Sequence, residues 1–239
     1  MRIHAAGALL DGDLTIPPAA TGMVLFTQNR PRDRAIAEAL RERGLATLLI
    51  EPLTAEERAD EALRFDMDLL ADRLIGTLRW LRTQPVTAPL PIGIFGTGAG
   101  AGAALVAAAA RPGEVQTVVT RGGRADLAGG ALARVQAPTL LIAGERDPRL
   151  RALNEEARRT MQAPADLCVI PDADRYFTGT RALEQVIIQA ADWFSLHLAA
   201  PAPEHAMPTV DSALPVKHTR VLDVLTAPLR SGRHDPDNA

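Results

Sequence analysis

Short apolar runs alternate with helically spaced ones along the first 198 residues. Residues 3–16 read as two short strands around Asp11-Gly12, a tight-turn dipeptide. Residues 23–27 form an apolar run of strand length. Residues 32–44 then place Ile36 and Leu40 on one helical face and end at Gly44, as a helix C-terminus should. Residues 46–51 read as the next strand. In Leu53-Thr-Ala-Glu-Glu57 the spacing of Thr54 and Glu57 predicts a capped helix start. Leu69, Leu70, Leu74, Leu78 and Leu81 predict a long helix over 67–83. Pro91-Ile-Gly-Ile-Phe-Gly-Thr-Gly-Ala-Gly-Ala-Gly-Ala-Ala-Leu105 predicts a strand, a glycine-rich turn and an alanine-rich helix. Strands at 115–120 and 139–143, a helix at 150–161, a strand at 167–170 and a helix at 183–198 complete the pattern. Apolar strands of about five residues separated by amphipathic helices predict an α/β fold: a mainly parallel sheet with helices on both faces. Function in such folds sits beyond the C-terminal ends of the strands. The loops after Thr27, Phe95, Thr120, Ala143 and Ile170 are therefore the places to look.

Composition refines this picture. The 239 residues suit one such domain over 1–198, followed by a tail over 199–239. Pro201, Pro203, Pro208, Pro215, Pro228 and Pro236 make that tail read as extended or disordered. Within it, segment 216–229 carries Val221, Leu222, Val224 and Leu225, an apolar patch suited to docking on a protein partner or a second copy. Aromatic residues are 3% of the chain, so aliphatic side chains must fill the core. The net charge of −3 gives no footing for nucleic acid or a membrane surface. No apolar run approaches the roughly 20 residues of a membrane helix, and no secretory leader is evident, so a cytoplasmic location is expected. Cys168 is the single cysteine and reads as a buried thiol in a strand. Lys217 is the only lysine, which makes arginine the cation everywhere else and reads first as composition bias. No metal-ligand or cofactor pattern is present, and none is expected.

Several stretches together resemble a known family. They are Gly12-Asp-Leu14, Gly44-Leu-Ala-Thr-Leu-Leu49, Phe65-Asp-Met-Asp-Leu-Leu70, Arg121-Gly-Gly-Arg-Ala-Asp-Leu-Ala128, Pro138-Thr-Leu-Leu-Ile-Ala-Gly144 with Asp147, and Trp193-Phe-Ser-Leu-His-Leu198. The span from Leu10 to Leu198 resembles the dienelactone hydrolase-like branch of the α/β-hydrolase fold. That resemblance implies a nucleophile on a Gly-x-Ser-x-Gly elbow, an acid after a later strand and a histidine after the last one. Here the elbow reads Gly96-Thr97-Gly98-Ala99-Gly100, so Gly98 stands at the nucleophile position. Asp147 matches the acid, and Arg175 stands at the histidine position. Arginine cannot accept a proton at neutral pH. His4 lies in the first strand, His197 in the last helix, and His205, His218 and His234 in the tail. The early loop passes from Phe26-Thr-Gln-Asn29 straight into Arg30-Pro-Arg-Asp33, without the family's glycines.

The expectation that follows is a catalytically inactive hydrolase homologue, serving as a binding, scaffolding or regulatory subunit. An Asp147–Arg175 ion pair would close the old site, and Gln28, Thr97, Ala99 and Arg121 would line its pocket. Two other readings stay open. One is an ester or lactone hydrolase with a non-standard nucleophile, Thr97 being the hydroxyl beside the apex. The other is a nucleotide- or anion-binding module using the loop 96–102, with Arg121 and Arg124 nearby. Gly96-x-Gly98-x-x-Ala101 fits a dinucleotide fingerprint loosely, but the acid expected about 20 residues on falls in 115–120, which holds none.

Overall fold

The computed structural model describes residues 1–198. An eight-stranded sheet runs β1 (Arg2–Ala5), β2 (Ala8–Thr15), β3 (Gly22–Phe26), β4 (Leu45–Ile50), β5 (Ile92–Thr97), β6 (Val115–Arg121), β7 (Thr139–Gly144) and β8 (Ala165–Ile170) in chain order. Its spatial order is β1-β2-β4-β3-β5-β6-β7-β8. The β1–β2 and β2–β4 pairs are antiparallel, and β3 to β8 are parallel to one another. The order reverses beside β3, so β3 and β5 flank the switch point where a cleft opens at the strand ends. Five helices cover the sheet: α1 (Pro31–Glu42), α2 (Met67–Thr83), α3 (Ala99–Ala110), α4 (Pro148–Thr160) and α5 (Thr180–His197).

Two cores result, one on each face. Ile36 and Leu40 of α1 and Val186 and Phe194 of α5 pack with Phe26, Phe95 and Ile142. Leu74 and Leu78 of α2 and the alanines of α3 pack with Leu25, Leu48 and Ile94. The alanines are what let α3 lie close to the sheet; eight of its 12 positions are buried. Parallel strands covered on both faces are apolar throughout, and β3, β4, β5 and β7 are buried at every position.

The structure differs from the pattern in four places. The first hairpin turns at Ala6-Gly7, with φ of 44° and 79°, not at Asp11-Gly12. Both turn residues need positive φ in such a two-residue turn. Asp11 instead pairs with Arg2, and Gly12 makes room for the Ile3 side chain within β2. The capping box at Thr54 and Glu57 forms, with the Thr54 amide donating to Glu57 Oε2 at 2.8 Å and the Glu57 amide to Thr54 Oγ1 at 3.3 Å. Only two single 3₁₀ turns follow it, Glu57–Ala59 and Leu63–Phe65, and neither has a fully buried residue, Leu63 alone packing partly against the core. Residues Ala125–Arg134 form a 3₁₀ segment broken at Gly129 where no element was expected. Cys168 is half-buried, since β8 is the sheet's edge strand. Burial raises its thiol pKa. The tail 199–239, with Val221, Leu222, Val224 and Leu225, lies outside the described residues.

Candidate functional site

A cavity of about 1170 Å³ opens beyond the C-terminal ends of β3, β4, β5 and β6. Its floor is the turn from β5 into α3. Gly98 has φ 55° and ψ −128°, the sharp backbone of a nucleophile elbow, and precedes α3 without any side-chain cap. Its carbonyl accepts from the Ala101 amide at 3.3 Å and the Arg124 amide at 2.9 Å, which ties the elbow to the loop after β6. A Cβ at Gly98 would meet nothing nearer than Gln28 Nε2 at 4.0 Å. Gly100 is glycine for a different reason. A Cβ there would collide with the Thr27 side chain, whose Oγ1 accepts from the Thr97 amide at 3.2 Å. The glycines of this loop therefore serve the elbow and the close approach of α3 to β3.

Gln28, Thr97, Ala99 and Arg121 all line the cavity. Thr97 and Arg121 are register partners on β5 and β6, so their side chains stand next to each other. Thr97 is only 4% exposed, and its Oγ1 has no partner. Arg121 Nη2 donates to Asp33 Oδ1 at 3.0 Å, linking β6 to α1 past the end of β5, while Nη1 has no acceptor. Asp33 is buried, and burial holds its carboxyl above the ordinary carboxylate range, with Arg121 opposing that rise. Burial likewise lowers the Arg121 pKa, with Asp33 opposing.

Asp147 and Arg175 meet at the neighbouring wall. Asp147 caps α4, its Oδ1 accepting from the Leu150 amide at 3.1 Å, and its Oδ2 lies 3.6 Å from Arg175 Nε. Asp147 does not line the main cavity. It faces a small adjoining one of about 160 Å³ shared with Arg124 and Arg175. Arg175 is half-exposed and lies over the Tyr176 ring at 5.6 Å, so the pair leaves the main cavity open. The remaining polar lining was not singled out from sequence. Seven arginines face the cavity, and Glu51 is its one carboxylate among the described residues. Glu51 Oε1 accepts from the Asn29 amide at 3.1 Å and lies 3.8 Å from Arg30 Nε. The signal available in the sequence was the run of arginines after β3 and β4, which composition bias had explained away.

His197 packs its ring against Trp193 at 4.6 Å, and burial lowers its pKa. His4 sits on β1, an edge strand of the sheet, and does not line the cavity. Among the described residues no group of three His, Cys, Asp or Glu side chains is placed to hold a metal ion. No described helix is long and apolar enough to cross a membrane.

No protein-family model matches the chain. A solved structure does: dienelactone hydrolase from Anabaena variabilis, 46% identical, superimposes with a TM-score of 0.80 over 83% of this chain and 96% of that one. The chain belongs to the dienelactone hydrolase branch of the α/β-hydrolase family. The fold recurs in Est1E from Butyrivibrio proteoclasticus, with a TM-score of 0.71 at 13% identity. Two curated Mycobacterium tuberculosis proteins, from strains CDC 1551 and H37Rv, are 48% identical over 209 residues. Their names assign them provisionally to the phosphoribosyl transferases, and this dienelactone hydrolase homologue spans about half of their length. These findings overturn the expectation of an inactive binding, scaffolding or regulatory subunit. The relatives are named as enzymes, and the cavity that an Asp147–Arg175 pair was expected to close is open.

Proposed function

We propose that this dienelactone hydrolase homologue hydrolyses an ester or lactone above Gly98, with water rather than a protein side chain as the nucleophile. The observation that carries the reading is the elbow itself. It keeps the backbone that aims α3 at a bound carbonyl, while the apex space is clear to 4.0 Å. The first amides of a helix have no intrahelical acceptor and carry a positive partial charge. Placed under a carbonyl oxygen, they stabilise the oxyanion that forms on attack. Thr97 is a poor nucleophile by comparison, since its Oγ1 has no hydrogen-bonded base to take its proton.

Glu51 is the cavity carboxylate that can take the water's proton. In the balanced step, water adds to the carbonyl carbon as Glu51 accepts its proton. The tetrahedral oxyanion then collapses, the C–O bond to the leaving group breaks, and the departing alkoxide takes the proton from Glu51. The transferase name of the curated relatives belongs to proteins about twice the matched length. The hydrolase architecture of this segment is why hydrolysis is the reading carried here. Turnover of p-nitrophenyl acetate and of a small lactone tests it. Hydrolysis above buffer that survives Thr97→Ala and falls in Glu51→Gln supports it. No wild-type turnover, or an acyl-enzyme burst lost in Thr97→Ala, overturns the water mechanism.

A further inference from the structure

The cavity carries more positive charge than ester hydrolysis needs. Arg121, Arg124 and Arg175 are balanced by Asp33, Asp126 and Asp147, and Arg30 by Glu51. Arg32, Arg58 and Arg64 pair with no carboxylate among the described residues. Arg58 and Arg64 spend donors only on backbone carbonyls, those of Leu53 and Arg58. Three positive charges are thus uncompensated around one opening. Beneath them lies Arg121, whose side chain is 10% exposed and whose Nη1 has no acceptor. Removing such a donor from water without a partner is costly, so a group left in this state is built to meet one. The uncapped start of α3, a 12-residue helix, opens on the same space and adds its own positive end.

The apolar part of the lining is equally selective. Of the chain's eight aromatic residues, only Phe65 and Tyr176 are exposed among the described residues, at 59% and 63%, and both line this cavity. Exposed rings beside an arginine-rich space suit a ring-bearing ligand with an anionic end. A single carboxylate would leave most of the excess charge unmet, whereas a phosphate dianion neutralises two charges and offers three acceptor oxygens.

We propose that the cavity recognises a phosphate monoester, so that the substrate is a phosphorylated, ring-bearing ester or lactone. The proposal rests on the hydrolase reading for its chemistry and on the cavity's charge for its phosphate. Calorimetry and thermal unfolding with inorganic phosphate, against sodium acetate and sodium chloride at equal ionic strength, separate the two. Phosphate is expected to bind, to raise the melting temperature where chloride does not, and to inhibit hydrolysis of a neutral p-nitrophenyl ester competitively. Arg58→Gln/Arg64→Gln is expected to weaken phosphate at least tenfold, as is Arg32→Gln to a smaller degree, while Arg43→Gln, just past the C-terminus of α1 and outside the cavity, leaves it unchanged. Arg121→Lys supplies a conservative probe of the buried cation, read by the same phosphate titration once its unfolding curve shows a folded protein. Equal effects of phosphate and chloride, tighter binding of acetate, or phosphate binding indifferent to the cavity arginines would overturn the proposal. Phosphate binding without any ester turnover would sink the hydrolase reading and leave the phosphate site standing. Turnover that phosphate does not inhibit would do the reverse.

Discussion

At the scale of single residues, the site is governed by which charges are buried with partners. Asp33 and Arg121 are both removed from water and meet at 3.0 Å. Asp33→Ala leaves a buried guanidinium alone, so a loss of about 3–5 kcal/mol in urea unfolding is expected. The pH dependence has a definite sign. Burial raises the Asp33 pKa above its ordinary 3.8, so the folded protein holds that proton more tightly than the unfolded chain. The associated stability is present below 3.8 and is lost as pH rises through the higher folded value. The stability of wild type relative to Asp33→Asn should therefore fall as pH climbs from 3.8, and a flat difference would contradict the assignment. Glu51 belongs to this scale too. Glu51→Gln keeps an acceptor for the Asn29 amide but no proton acceptor for water, and kcat should drop about 10²–10⁴-fold with little change in melting temperature.

Among the elements, close approach and capping decide more than propensity does. At Gly100 a methyl group would strike Thr27, so Gly100→Ala must push α3 away from β3. A loss of about 1–3 kcal/mol in chemical unfolding, with hydrolysis reduced as well, is the expected result. Arg73 of α2 is 5% exposed and donates to the Ala5 and Ala6 carbonyls at 2.9 and 2.8 Å and to Glu57 at 2.7 Å. It fastens the first hairpin and the capping-box turn to α2, which explains how a hairpin turned by Ala6-Gly7 holds its place. On the surface of α4, Glu155 meets Arg158 and Arg159, and the Arg158 hydrogen bonds hold its pKa down to about 2. Such a depressed group stabilises the fold above its ordinary value of 4.5, and the effect is lost as pH falls toward 2. Glu155→Gln should therefore differ from wild type at neutral pH and converge on it in acid, as followed by urea titration at both pH values.

Over the whole molecule, two apolar cores clamp one sheet, and the cavity stands where the strand order reverses. Phe194 of α5 is fully buried against Gly93 of β5, so Phe194→Ala should cost about 3–5 kcal/mol in unfolding while leaving the cavity's arginines in place. Periodicity alone determined the strand–helix alternation and the helix over Met67–Thr83, because burial on both sheet faces writes itself into apolar runs. Motif spacing determined that Gly98 takes the elbow and that Asp147 and Arg175 share a wall. The hairpin turn escaped because an Ala-Gly pair in positive φ looks like any other small-residue pair. Tertiary structure alone decided the rest. Glu51, Arg58 and Arg64 lie on the connection after β4 and Arg121 at the end of β6, and only folding sets them around one opening. A charge's meaning depends on its neighbours within a few ångströms, and linear spacing does not carry that distance.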